Sequence, residues 1–200
     1  MRDARATAAI TSLADEPVTA EVVASDLVYR GRVWDVRSDT VRYGDDEIVR
    51  QYVAHPGAVA IVAIDDQERV ALIQQYRHPI RHRDWEIPAG LLDIAGEPPI
   101  DTARRELAEE VDLVAASVEP LLSIFTTPGG NDEIVHIFLA RGLSPAPHTH
   151  DREQEEADIR LEWVPLTDAV DAVLAGRMRN GILAAGVMAA AERARRSAQG

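Results

Sequence analysis

Apolar and polar positions follow one another in two rhythms along this chain. From Val22 to Ala54 the period is two, through VVASDLVY, RVWDVRSDTVRY and EIVRQYVA, with turn residues at Gly31 and Gly44-Asp45-Asp46 between the runs. That alternation predicts strands joined by tight turns, a three-stranded antiparallel unit. Gly57 then opens AVAIVAID, an unbroken apolar run that predicts a buried strand, and Asp65-Asp66-Gln67 turns the chain into VALIQQY. A polar, basic stretch over 77–84 leads to WEIPAGLL.

Over 98–111 the period lengthens. Ala103, Leu107 and Val111 recur every four positions and predict a helix. Strand-like runs return at LLSIFTT, EIVHIFLAR and IRLEWVPL, with 144–157 between the last two as a loop rich in Pro, His and Glu. Thr167 heads a helix that stops at Gly176, and Asn180 heads GILAAGVMAAAERARR. Strands with helices between and after them predict a mixed α/β sandwich, not a doubly wound sheet.

Composition narrows the function. A chain of 200 residues fits one domain with a short appended sheet, and no apolar run is long enough to span a bilayer. The opening residues lack a secretory apolar core, so the expected home is cytoplasmic. With no cysteine, thiolate catalysis and Cys-bound zinc are excluded. A net charge of −13 argues against non-specific nucleic-acid binding. The same charge repels phosphates, so an anionic substrate needs local arginines or bound cations. Every one of the 21 basic residues is arginine, which makes each available phosphate contact a planar fork.

The candidate chemistry lies on the 98–111 helix. Glu106, Glu109 and Glu110 sit at spacings of three and four on one patch, followed by Asp112, and no basic residue occurs between Arg105 and Arg141. The patch is in the C-terminal half, the wrong end of the helix dipole for anions. Clustered carboxylates without Cys or helical His suit hard cations such as Mg²⁺ or Mn²⁺. A solvated acidic face has the same composition, and the helix alone does not separate the two readings.

The flanks do. Gly90-Leu-Leu-Asp-Ile-Ala-Gly-Glu97, then Arg105-Glu106-Leu-Ala-Glu109-Glu110-Val-Asp112-Leu113, resembles the Nudix box, G-x5-E-x7-R-E-U-x-E-E-x-G-U with U aliphatic. Two departures stand out: six residues separate Gly90 from Glu97, and Asp112 replaces the glycine that ends the helix. The first adds a loop residue at little cost, and Asp tolerates the left-handed conformation better than most residues. The resemblance implies a Nudix-type α/β/α sandwich. It divides the chain into a tail over 1–22, an N-terminal antiparallel sheet over 23–55 that serves dimerisation, and a hydrolase domain over 56–200.

It further implies that Glu106, Glu110 and Glu109 bind two or three Mg²⁺ (or Mn²⁺) ions with the Ala89 carbonyl, while Glu97 pairs with Arg105 to hold the loop below Gly90. Gln75-Tyr76-Arg77, Trp85-Glu86-Ile87-Pro88-Ala89-Gly90 and Phe125-Thr-Thr-Pro128-Gly129-Gly130-Asn131-Asp132-Glu133 resemble the ADP-ribose pyrophosphatase branch. That branch implies hydrolysis of ADP-ribose to AMP and ribose 5-phosphate, with Arg77, Glu86, Pro128 and Gly129 at the substrate. It places a general base on a mobile loop before the last strand, Glu156 first and Glu155 second, with Glu109 as a box carboxylate beside the reaction. His148 and His150 on that loop read as solvated.

The branch also implies a homodimer with exchanged N-terminal strands, in which Arg50, Tyr52 or Trp34 reaches the partner's adenine. Alternatives are a Nudix pyrophosphatase for a sugar nucleotide, NADH or a dinucleotide, and a sensor that binds ADP-ribose without cleaving it. The sensor predicts lost box carboxylates or an added DNA-binding domain, neither of which occurs here. An acidic domain that binds cations only for stability gives no reason for the Gly90–Glu97–Arg105 spacing.

Overall fold

A computed structural model describes residues 13–147 and 159–199. Three strands open the chain as a separate antiparallel sheet in the order β1-β2-β3: β1 (Glu21–Tyr29), β2 (Asp35–Tyr43) and β3 (Asp46–Ala54). Gly44, at φ 65°, supplies the turn between β2 and β3. The sheet leaves Val22, Leu27, Val28 and Tyr29 exposed to solvent.

Two further sheets build the body. One runs β7-β4-β9-β8: β4 (Ala58–Ala63), β7 (Ala89–Leu91), β8 (Leu113–Phe125) and β9 (Ile134–Pro145). In the other, β5 (Arg69–Arg77) pairs antiparallel with both β6 (His82–Glu86) and β10 (Arg160–Pro165). Every residue of β4 is buried, which explains its unbroken apolar run. Val59, Ile61 and Ala63 pack with Ala103, Leu107 and Val111 of α1 (Pro99–Val111). Ala60, Val62 and Ile64 belong to a second core with Leu183, Val187 and Ala190 of α3 (Gly181–Ser197) and Ala169 of α2 (Leu166–Leu174). Helices thus cover both faces, giving the α/β/α sandwich.

The helices form where the periodicity placed them, but Thr167 does not head its own: α2 starts at Leu166, with Pro165 as N-cap and no side-chain cap bond. Asp112 caps α1 in the left-handed region, at φ 54° and ψ 38°, with its N–H donated to the Ala108 carbonyl at 3.1 Å. The Asn180 side chain accepts from the Ile182 and Leu183 amides, and Gly176 lies at φ 68°. Strand extents differ from the sequence reading in three places. β8 starts directly after α1, because Val114–Glu119 pairs with β9 although its Ala and Ser positions show no apolar rhythm; the register slips between Pro120 and Leu122. β9 runs to Pro145, two residues into the expected loop. The polar stretch after Arg77 is a 3₁₀ turn, His78–Ile80, that leads into β6.

Candidate active site

Antiparallel pairing of β7 with β4 places Gly90 opposite Val59, on the floor beneath α1. A Cβ on Gly90 would overlap the Glu106 carboxylate, so only glycine admits that side chain. Glu110 is buried and its Oε2 accepts the Ala89 amide at 2.8 Å, which fixes the loop and spends the amide of that residue. These contacts form one wall of a cavity of ≈ 580 Å³.

Among the described residues six carboxylates line that cavity, Glu86, Asp93, Glu106, Glu109, Glu110 and Glu133, against Arg77 as the one lining arginine. Burial raises the Glu106 pKa, and the charges of Glu109 and Asp93 raise it further, while Arg105 opposes them. Arg105 bridges Glu97 at 3.2 Å, Glu106 at 2.6 Å and Glu109 at 3.0 Å. Burial alone would lower its pKa, but the three carboxylates outweigh that and raise it. Arg105 therefore joins the loop to the helix and also holds Glu106 and Glu109. Glu97 also accepts from Thr102 Oγ1 at 2.8 Å, and these two partners lower its pKa. Thr102 is fully buried on the apolar face of α1, a position whose only sequence signal is its place five residues past Glu97.

Among the described residues no three acidic or histidine side chains stand in ligating geometry. The donor set nevertheless fits a hard cation. Glu106 and Glu109 already share one positive group, all candidate donors are oxygens, and the glycine floor leaves room at Glu106.

Arg77 ends β5 as expected, but its guanidinium is clasped by Glu86, with Nε to Oε1 and Nη2 to Oε2 both at 2.7 Å. Gln75 reaches the same carboxylate at 3.4 Å. Trp34 lines the cavity of its own chain, whereas Arg50 is exposed and donates to the Val49 carbonyl, outside that lining. Tyr52 donates to Asp39 Oδ2 at 3.1 Å. Pro128 and Gly129 also lie outside the lining, on a turn whose Thr127 and Asn131 face an adjoining cavity of ≈ 900 Å³. Glu155, Glu156, His148 and His150 lie outside the described residues. Sequence reasoning did not single out His55 or Glu133, which line the same cavity.

A glutamate-bearing helix over a glycine floor, set in a three-layer sandwich, defines a hydrolase built to act on anions through cations held by oxygen. Residues 54–184 match the model of the NUDIX domain, and the chain belongs to the Nudix family, whose hydrolases generally use a divalent metal. It is 45% identical over 172 residues to an ADP-ribose pyrophosphatase of Mycobacterium tuberculosis, covering 84% of this chain and 82% of that one. It is 35% identical over 154 residues to an ADP-ribose pyrophosphatase of Bacillus subtilis, covering 76% and 82%. A solved ADP compounds hydrolase superposes with a TM-score of 0.75 at 21% identity, over 92% of this chain and 98% of that one, a likeness of fold.

Proposed function

We propose that this enzyme hydrolyses the pyrophosphate bond of ADP-ribose to AMP and ribose 5-phosphate, in the cytoplasm, with Mg²⁺ as its usual cation and Mn²⁺ as a substitute. The carrying observation is the charge of the cavity: among the described residues six carboxylates line it against Arg77, with Arg105 bonded to two of them, an acidic environment that admits a diphosphate only together with cations. Two or three divalent ions offset that excess. Glu106, Glu109 and Glu110 with the Ala89 carbonyl would hold them. When bound, they neutralise the diphosphate and lower the pKa of a water molecule. Relatives named for ADP-ribose cleavage, matched over most of both chains, support the choice of substrate.

The protein's own groups do the rest. Glu97 and Arg105 hold the loop on the helix. Arg77, oriented by Glu86, contacts a phosphate oxygen, and the turn at Pro128 and Gly129 bounds the substrate. Glu156, or Glu155 beside it, takes the proton of the attacking water. The exposed apolar side chains of β1 favour a homodimer built on the N-terminal sheets, with Arg50 reaching the partner's substrate.

A substrate panel of ADP-ribose, NADH, GDP-mannose and diadenosine polyphosphates tests the assignment, with AMP release as the readout. Absence of AMP from ADP-ribose, with turnover of another compound, would reassign the substrate. Glu156→Gln and Glu155→Gln test the base: one of them should slow turnover about 10²-fold or more, and two fully active variants would place the base elsewhere.

A further inference from the structure

The cavity is also lined by a histidine outside the box whose ring accepts a backbone amide. His55 sits between β3 and β4, in the segment that joins the N-terminal sheet to the body. Its own amide donates to Asp132 Oδ1 at 2.8 Å. The Gly57 amide donates to its Nδ1 at 3.1 Å, and Glu133 Oε1 stands 3.5 Å from the same nitrogen. Glu133 takes its close hydrogen bond from Thr126 Oγ1 instead, at 2.6 Å.

These contacts assign the tautomer. A nitrogen that accepts the Gly57 proton carries a lone pair, so the proton of the neutral ring is on Nε2. Gly57 is itself held in place: it lies at φ 87°, and its carbonyl accepts the Leu92 amide at 3.1 Å. The ring lines the cavity, and Nε2–H has no hydrogen-bond partner among the described residues.

We infer that His55 is a substrate-positioning residue: its Nε2–H donates to an acceptor oxygen of the nucleoside diphosphate seated against the box. This rests on the hydrolase reading above and adds a contact from a cavity residue outside the box. The Gly57 bond ties the ring to the start of β4, and the bond from the His55 backbone amide to Asp132 ties the residue to the turn before β9, so the donor is positioned before substrate arrives.

Two amide substitutions separate this role from a structural one. Asn at 55 keeps an acceptor near the Nδ1 position, for Gly57, and removes the outer donor. Gln puts an N–H near the Nε2 position and gives up that acceptor. With ADP-ribose and Mg²⁺, His55→Asn should lose about 10-fold or more in kcat/KM, the range for a hydrogen bond to a charged acceptor, mainly through KM. His55→Gln should stay within about threefold of wild type. The reverse order, equal losses or no loss in either would overturn the inference. A second readout does not depend on turnover. Imidazole ¹⁵N shifts of the wild-type protein should report the Nε2–H form, and that resonance should move when AMP with Mg²⁺ or α,β-methylene-ADP-ribose is added. An Nδ1–H ring, or no response to either ligand, contradicts it. If the wild type releases no AMP from ADP-ribose, the function reading fails by itself, and the His55 contrast is read on the substrate that is cleaved.

Discussion

Replacing Gly90 by alanine isolates the contact on which the site depends. The backbone at Gly90 lies outside the left-handed region, so alanine adds no conformational strain, only a methyl group. That methyl would overlap the end of the Glu106 side chain, a flexible group that can swing away. Overpacking a rigid core costs about 1–3 kcal/mol. Here the neighbour yields, so the stability loss should fall at or below the low end, about 1 kcal/mol. The function should suffer far more, because Glu106 cannot both avoid the methyl and keep its place over β7. Displacing a group that orients metal ligands typically costs about 10–100-fold in metal affinity or activity. Urea unfolding and a Mg²⁺ titration of turnover measure the two effects on one preparation. Gly90→Ala with unchanged turnover and Mg²⁺ dependence would refute the argument. Unfolding by several kcal/mol would show instead that the contact is rigid.

Other sites separate stability from chemistry. Gly186 on α3 faces Val62, Ile87 and Ile137, and a Cβ there would come within 2.9 Å of Val62 Cγ2. Gly186→Ala should therefore forfeit the ~1 kcal/mol helix advantage of alanine and end neutral or destabilised by up to about 2 kcal/mol, read by urea unfolding. Asn180→Ala removes a cap and the 3.0 Å bond to Asp84, and should lower stability by about 1–2 kcal/mol in the same assay. The hydrogen bond from Arg141 lowers the Glu68 pKa from its usual 4.5, partly offset by burial. The pair's contribution is therefore full above that value and is lost as pH falls through the lowered one. Both side chains are substantially exposed, so Glu68→Gln should cost at most about 1 kcal/mol at neutral pH, with the difference fading in acid. Val28→Asp should shift sedimentation toward the monomer; an unchanged dimer would remove β1 from the interface.

The box was legible because its chemistry is local: one helix with fixed spacing places Glu106, Glu109 and Glu110 together, and Asp112 and Asn180 act on their own neighbours. The Arg77–Glu86 clasp was hidden because it depends on strand register between β5 and β6, which the polar 77–84 stretch disguised. His55 faces Glu133 across 78 positions of sequence, and its ring orientation is set by a backbone amide, to which no periodicity points. The first half of β8 was missed because its stability comes from pairing with β9 rather than from its own apolar content.

The central claim is that oxygen-held cations at Glu106, Glu109 and Glu110 drive the cleavage. Its most direct test is AMP release from ADP-ribose in Mg²⁺, with and without EDTA, by wild type and Glu106→Gln brought to equal folded fractions. The account predicts release that EDTA abolishes and that Glu106→Gln slows about 10²-fold or more, beyond the loss typical of an orienting group. Equal rates for the two proteins, or release that survives EDTA, would contradict it.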